Sequence, residues 1–121
     1  TYGRMVQRVL EVAEEVAAEG ISVEVVDPRT LVPLDIDMIV KSVIKTGKLI
    51  VVNEAVKRGS YAGEIVSEVV ESDAFDYLDG EIIRLSGKNI PIPYNPKLEA
   101  FAVPGKEEIK DAIYKLANRK R

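Results

Sequence analysis

Arg4, Asp27, Arg29, Asp35 and Glu54 are the charged residues placed where an α/β protein keeps its chemistry, at or just past the ends of apolar, β-branched runs. In open parallel sheets ligands collect at the carboxyl ends of strands. Asp27 and Arg29 follow one such run and Asn53 and Glu54 follow the next. If the two runs are neighbours, Arg29 comes within reach of Asp27 or Glu54. The outcome is either a polar site or an ion pair that pins two loops. No nucleophile or general base accompanies these residues, so an ion pair of Arg29 with Asp27 or Glu54 is expected.

Other groupings point less sharply. Arg58-Gly59-Ser60-Tyr61-Ala62-Gly63-Glu64 opens a helix after a strand, a place that attracts phosphate, yet it is neither a Walker loop nor a dinucleotide fingerprint. Close backbone packing accounts for its glycines. Gly105-Lys106 reads as a helix start. Asp35/Asp37 and Glu107/Glu108 lack calcium-loop spacing and read as acidic helix starts. Asp76, Asp79 and Glu81 surround Phe75 and Tyr77. They form either a solvated turn or an aromatic patch, rimmed by carboxylates, that suits a basic partner.

The chain has no Cys and no His. Disulfides, thiolate nucleophiles and thiolate zinc sites are excluded, and the usual general base and transition-metal ligand are missing. With 17 Lys and Arg against 20 Asp and Glu, the formal net charge is −3, which gives no general attraction for nucleic acid or anionic lipid. The cluster Arg119-Lys120-Arg121 suits a helix C-terminus. At 46% apolar and 31% charged, the 121 residues suit one globular domain. The longest apolar stretches, such as Leu49-Ile50-Val51-Val52, are too short to span a bilayer. No secretory leader pattern opens the chain, and a cytoplasmic location is expected.

The elements that must position these residues alternate. Apolar spacing predicts helices over 5–19, 36–46, 61–70 and 105–119, with Gly20 and Gly47 as left-handed stops and Asp35 and Ser60 as caps. Strands are expected over 22–26, 48–52 and 81–85, with a helical turn at 73–78. Residues 87–105 hold four prolines and read as a long irregular connection. Strand–helix alternation implies a three-layer α/β/α sandwich around a mostly parallel sheet. Thr1-Tyr2-Gly3 reads as the end of a strand entering a tight turn. A three-stranded sheet is small for this class. At least one further strand is therefore expected before Thr1, with 1–121 the carboxy-terminal piece of a larger subunit.

Several blocks in order carry a family resemblance: Thr1-Tyr2-Gly3-Arg4-Met5-Val6, Val25 to Asp35, Ser42 to Ala55, Gly63-Glu64-Ile65 and Pro91-Ile92-Pro93-Tyr94. The chain resembles the carboxy-terminal domain of the beta subunit of thiamine-diphosphate-dependent 2-oxo acid dehydrogenases. That group includes the pyruvate and branched-chain decarboxylase components and, more distantly, transketolase and deoxyxylulose-phosphate synthase. The resemblance implies a transketolase C-terminal-like fold of about five strands. It also implies an oxidoreductase that decarboxylates a 2-oxo acid and passes the acyl group to a lipoyl arm.

By the same resemblance, thiamine diphosphate and magnesium bind on other polypeptide of the parent complex. No residue here is expected to be catalytic, to bind cofactor or to ligate metal. The domain's expected work is structural, at subunit interfaces, and the chain alone is expected to be inactive. Many members have His where this chain has Asn53, and Asn does not titrate near neutral pH. The implied partners are a decarboxylase alpha subunit, a second beta subunit in a heterotetramer, and the subunit-binding domain of an acyltransferase core. Phe75, Asp76 and Asp79 are the expected docking residues. Two other readings remain at this stage: the equivalent domain of a transketolase or deoxyxylulose-phosphate synthase, and a free-standing protein-binding module.

Overall fold

The computed structural model describes residues 1–89 and 95–118. The block Pro91-Ile92-Pro93-Tyr94 and the cluster Arg119-Lys120-Arg121 lie outside the described residues. The elements run α1 (Met5–Ala17), α2 (Ile36–Thr46), β1 (Ile50–Val56), α3 (Tyr61–Val70), a 3-10 turn (Asp73–Tyr77), β2 (Ile83–Gly87), α4 (Pro96–Ala102) and α5 (Lys106–Ala117). None of the described helices is long and apolar enough to cross a membrane.

Three layers form because β1 is apolar on both sides, as a strand covered on both faces must be. Val52 packs with Met5, Val9, Val12 and Val16 of α1 and with Ile109 and Ile113 of α5. Val51 faces the other way, against Ile39 and Val43 of α2 and Ala62, Ile65 and Val69 of α3. β1 and β2 pair in parallel, Ile50 with Ile83, Val51 with Arg84 and Val52 with Leu85. The register slips before Val56 pairs with Gly87. A Cβ on Gly87 would stand 2.6 Å from the Glu54 carbonyl oxygen, so only glycine lets the strands approach there.

The helix signals hold, with shifted detail. In α1 the buried stripe is Met5, Val9, Val12 and Val16. Leu10, also apolar, is 45% exposed, because the i, i+4, i+7, i+11 row is the one that meets β1. Asp35 caps α2, its carboxylate accepting from the Met38 N–H at 3.2 Å, and Gly47 ends that helix at φ 75°. Ser60 stands at the cap position of α3 but makes no side-chain cap bond; its hydroxyl turns back to the Lys57 carbonyl at 3.4 Å.

Two expectations are corrected. The connection expected to be irregular over 87–105 contains α4. Asn95 starts it by accepting from the Lys97 N–H at 2.9 Å, and Pro96 occupies the first turn, where a missing N–H is harmless. The strand expected over 22–26 joins no ladder. The segment still alternates as a strand would: Ile21, Val23 and Val25 pack against the α1/α5 core, while Val26 packs against the α2/α3 core. Among the described residues the sheet has two strands, β1 and β2, and residues 22–26 pair with neither. Between this segment and β1 lies a cavity of about 360 Å³, floored and roofed by residues of both cores.

Candidate functional site

In the second half of β1 the chain places Asn53 and Glu54 beside Tyr2 and Arg4, which lead into α1. Arg4 donates through Nη2 and Nε to one Glu54 oxygen, at 2.7 and 3.0 Å. The Arg4 side chain is 70% exposed, so the pair contributes at most about 1 kcal/mol.

The ion pair expected between Arg29 and Asp27 or Glu54 takes another form. Glu54 pairs with Arg4. Arg29 meets Asp27 through its backbone, its N–H donating to Asp27 Oδ1 at 2.9 Å, and Arg29 adopts φ 63°. The physical reason is local: an Asp side chain two residues back closes a turn more cheaply than a long guanidinium can be held in water. Arg29 is exposed and makes no side-chain ion pair among the described residues. Its loop is instead anchored by the Tyr61 hydroxyl, which donates to the Leu31 carbonyl at 2.7 Å. Burial, with Glu64 and Glu68 nearby, pushes the Tyr61 phenol above its ordinary range.

Asn53 is the residue whose importance the sequence understated. It is 0% exposed, and its Nδ2 donates to the Tyr2 hydroxyl at 2.8 Å. Its Oδ1 is buried without a partner. The available signal was its place at the end of Leu49-Ile50-Val51-Val52, where a polar residue must be bonded or exposed.

The acidic aromatic group divides. Phe75 is 56% exposed and Tyr77 51%, both on the 3-10 turn, with Asp76 exposed beside them. Asp79 lies inward. Its N–H donates to the Gly47 carbonyl at 2.7 Å and its carboxylate stands 3.9 Å from Lys48 Nζ. Glu81 pairs with Lys115 of α5 at 2.8 Å.

In the glycine loop before α3, Gly59 has φ 73° and the Arg58 N–H donates to Asn89 Oδ1 at 2.9 Å. The close backbone packing expected of its glycines is not found: a Cβ on Gly59 would meet nothing within 4 Å and one on Gly63 only Arg84 Nη1 at 3.6 Å, so Gly59 serves the turn through its positive φ. Gly105 begins α5 without a side-chain cap bond, and Glu107 and Glu108 lie in its first turn. Among the described residues no group of three acidic side chains is placed to hold a metal ion.

Comparison with known proteins gives a consistent result. The family model described as "Transketolase, C-terminal domain" matches residues 1–109. A pyruvate dehydrogenase E1 component subunit beta of Rhizobium meliloti is 39% identical over 93% of this chain and 24% of its own length. The mitochondrial counterpart of Saccharomyces cerevisiae is 44% identical over 93% of this chain and 31% of its own length. A 2-oxoisovalerate dehydrogenase subunit beta of Bacillus subtilis is 40% identical over 97% of this chain and 36% of its own length. The chain thus spans about a quarter to a third of the relatives it matches. A solved structure, a split-gene transketolase in an inactive beta4 tetramer, superposes with a TM-score of 0.76 at 24% identity, over 99% of this chain and 37% of that one. That likeness bears on the fold.

Proposed function

We propose the function from one premise: the chain belongs to the family of transketolase C-terminal domains. From it we infer a non-catalytic assembly domain of a 2-oxo acid dehydrogenase beta subunit. The observation that carries this reading is the 39 to 44% identity to pyruvate and branched-chain dehydrogenase beta subunits over nearly the whole chain. The parent complex, on this reading, decarboxylates a 2-oxo acid on thiamine diphosphate with magnesium, in the cytoplasm, and hands the acyl group to a lipoyl arm. The carbanion chemistry belongs to the cofactor.

The residues present do not fit that cofactor. A diphosphate–magnesium group needs hard oxygen donors, and the cavity beside β1 is lined mostly by aliphatic side chains. Glu54, the carboxylate nearest the strand end, is engaged with Arg4. The chain has no histidine for proton transfer. No step is therefore assigned to its side chains.

The work left to this chain is to hold neighbours. It would meet a decarboxylase alpha subunit and a second beta subunit in a heterotetramer. Phe75 and Asp76, exposed on one turn, would dock the basic subunit-binding domain of an acyltransferase core. Asp79 would support that turn from behind through Gly47 and Lys48.

Co-expression with the alpha subunit and the rest of the beta subunit tests the reading. A sized heterotetramer that turns over a 2-oxo acid is expected. An assembled complex that acts only as a transketolase on sugar phosphates would overturn it.

A further inference from the structure

The carboxyl ends of β1 and β2 bring cations together. β1 ends at Val56, which pairs with Gly87 after the register slip, and the Lys57 N–H then donates to the Gly87 carbonyl at 3.0 Å. The Arg58 N–H donates to Asn89 Oδ1 at 2.9 Å. Arg84 of β2 reaches the same loop: its Nη1 donates to the Lys57 carbonyl at 3.4 Å. The Ser60 hydroxyl donates to that carbonyl as well. The loop that carries Lys57 and Arg58 is thus tied to β2 through its backbone, while both residues are exposed.

These charges lack counter-charges. Lys45, Lys48, Lys106, Lys110 and Lys115 each pair with a carboxylate. Among the described residues Lys57, Arg58 and Arg84 pair with none. Glu54 is engaged with Arg4, and Glu64, in the first turn of α3, pairs with none of the three. In a chain of net charge −3 this is a local reversal of sign. Like charges gathered in one place weaken the fold unless something anionic meets them. The amino end of α3 adds partial charge of the same sign. Beyond its other end, about 15 Å along a helix of 10 residues, lies the acidic turn with Phe75 and Asp76. The two surfaces differ in sign and suit different partners.

We propose, independently of the reaction of the parent enzyme, that Lys57, Arg58 and Arg84 form a docking surface for an acidic polypeptide segment carrying several carboxylates close together. A small anion fits less well, because single charge pairs at exposed Lys57 and Arg58 are screened and weak. A segment with several carboxylates meets the three cations at once, and each contact favours the next. Nucleic acid is disfavoured by the overall negative charge of the chain.

Fluorescence anisotropy of the 121-residue chain with a labelled oligoglutamate peptide tests this. Saturable binding that weakens with added salt is expected. The double reversal Lys57→Glu/Arg58→Glu should raise Kd at least about tenfold. Arg29→Glu/Lys41→Glu makes the same change of net charge at two other exposed cations and should leave Kd within about twofold. No saturable binding, or equal weakening by the two double variants, would overturn the proposal. So would pyrophosphate or a DNA oligomer that displaces the peptide at lower concentration than unlabelled peptide does, by assigning the surface to phosphate. Self-association lost in Lys57→Glu/Arg58→Glu would overturn it too, by assigning the surface to the acidic turn of a second copy. If circular dichroism shows that double reversal to be unfolded, Lys57→Gln/Arg58→Gln must weaken binding in the same direction; an unchanged Kd there overturns the proposal.

Discussion

The side-chain amide of Asn53 and the hydroxyl of Tyr2 meet at 2.8 Å, between β1 and the residues that lead into α1. Asn53 is wholly enclosed, and its other amide atom has no partner. The bond therefore joins the middle of β1 to the residues that lead into α1, at a wholly buried polar side chain.

Tyr2→Phe is expected to lower stability by about 1–3 kcal/mol, because it strands a buried amide rather than removing a surface contact. Urea unfolding followed by circular dichroism measures this. A change within a few tenths of a kcal/mol would show that the bond does not tie the strand to α1.

Two glycines should respond oppositely to alanine. Gly87→Ala drives a methyl to 2.6 Å from the Glu54 carbonyl oxygen and 3.1 Å from that of Ala55, both backbone atoms that cannot swing aside. A loss of about 1–3 kcal/mol is expected. Gly63→Ala, inside α3, meets only the end of Arg84 at 3.6 Å and should gain about 0.5–1 kcal/mol from helix propensity. Thermal melts of the two variants, moving in opposite directions, check both.

Lys106 stands 2.6 Å from Glu11 and 3.6 Å from Glu15, and Lys110 is 2.7 Å from Glu15, so α5 is held to α1 by charge as well as by its apolar face. A hydrogen bond from Lys106 holds the Glu11 carboxyl below its ordinary value of 4.5, and one from Lys110 does the same for Glu15. A depressed folded pKa gives stability that is present above the unfolded value and fades as pH falls through the folded one. This α1–α5 contribution should thus be full above about pH 4.5 and disappear in more acid solution, and added salt should weaken it. Lys106→Met should raise the Glu11 midpoint toward 4.5 in an NMR titration. An unmoved midpoint would remove the claim.

The docking proposal separates Phe75 and Asp76 from Asp79. Phe75→Ala should weaken capture of a basic acyltransferase binding domain about tenfold or more, the loss expected of an aromatic anchor, with stability within about 0.5 kcal/mol of the parent. Asp76→Lys should also weaken capture. Asp79→Asn should instead act on stability, since it removes the charge that faces Lys48. Calorimetric titration and melting curves on the assembled complex distinguish the two effects, and undiminished capture by Phe75→Ala would rule the patch out.

Much of the architecture was legible because it rests on local signals. Asp35 and Gly47 bracket α2 as their chemistry requires, and the unbroken apolar run at 49–52 announced a strand covered on both faces. Leu10 and Val12 were not separable by spacing alone, since either lies on a plausible helical stripe and only contact with β1 decides between them. The start of α4 at Asn95-Pro96 was legible in principle, as a cap followed by proline, but the surrounding prolines masked it. Residues 22–26 kept the alternation of a strand and lost the ladder, because pairing depends on backbone the segment does not itself contain. In the site, the charges were found but mispaired: Arg4 reaches Glu54 because α1 begins beside the end of β1, a tertiary fact with no trace in the spacing of Asp27, Arg29 and Glu54.

The central claim is that this domain holds an enzyme together and performs none of its chemistry. Its most direct test is 2-oxo acid decarboxylation with thiamine diphosphate and magnesium supplied, measured first on the 121-residue chain alone and then on the assembled complex of alpha subunit and complete beta subunit. No turnover by the chain alone, with turnover on assembly, is the predicted result. Decarboxylation by the isolated chain at a rate proportional to its concentration would contradict it.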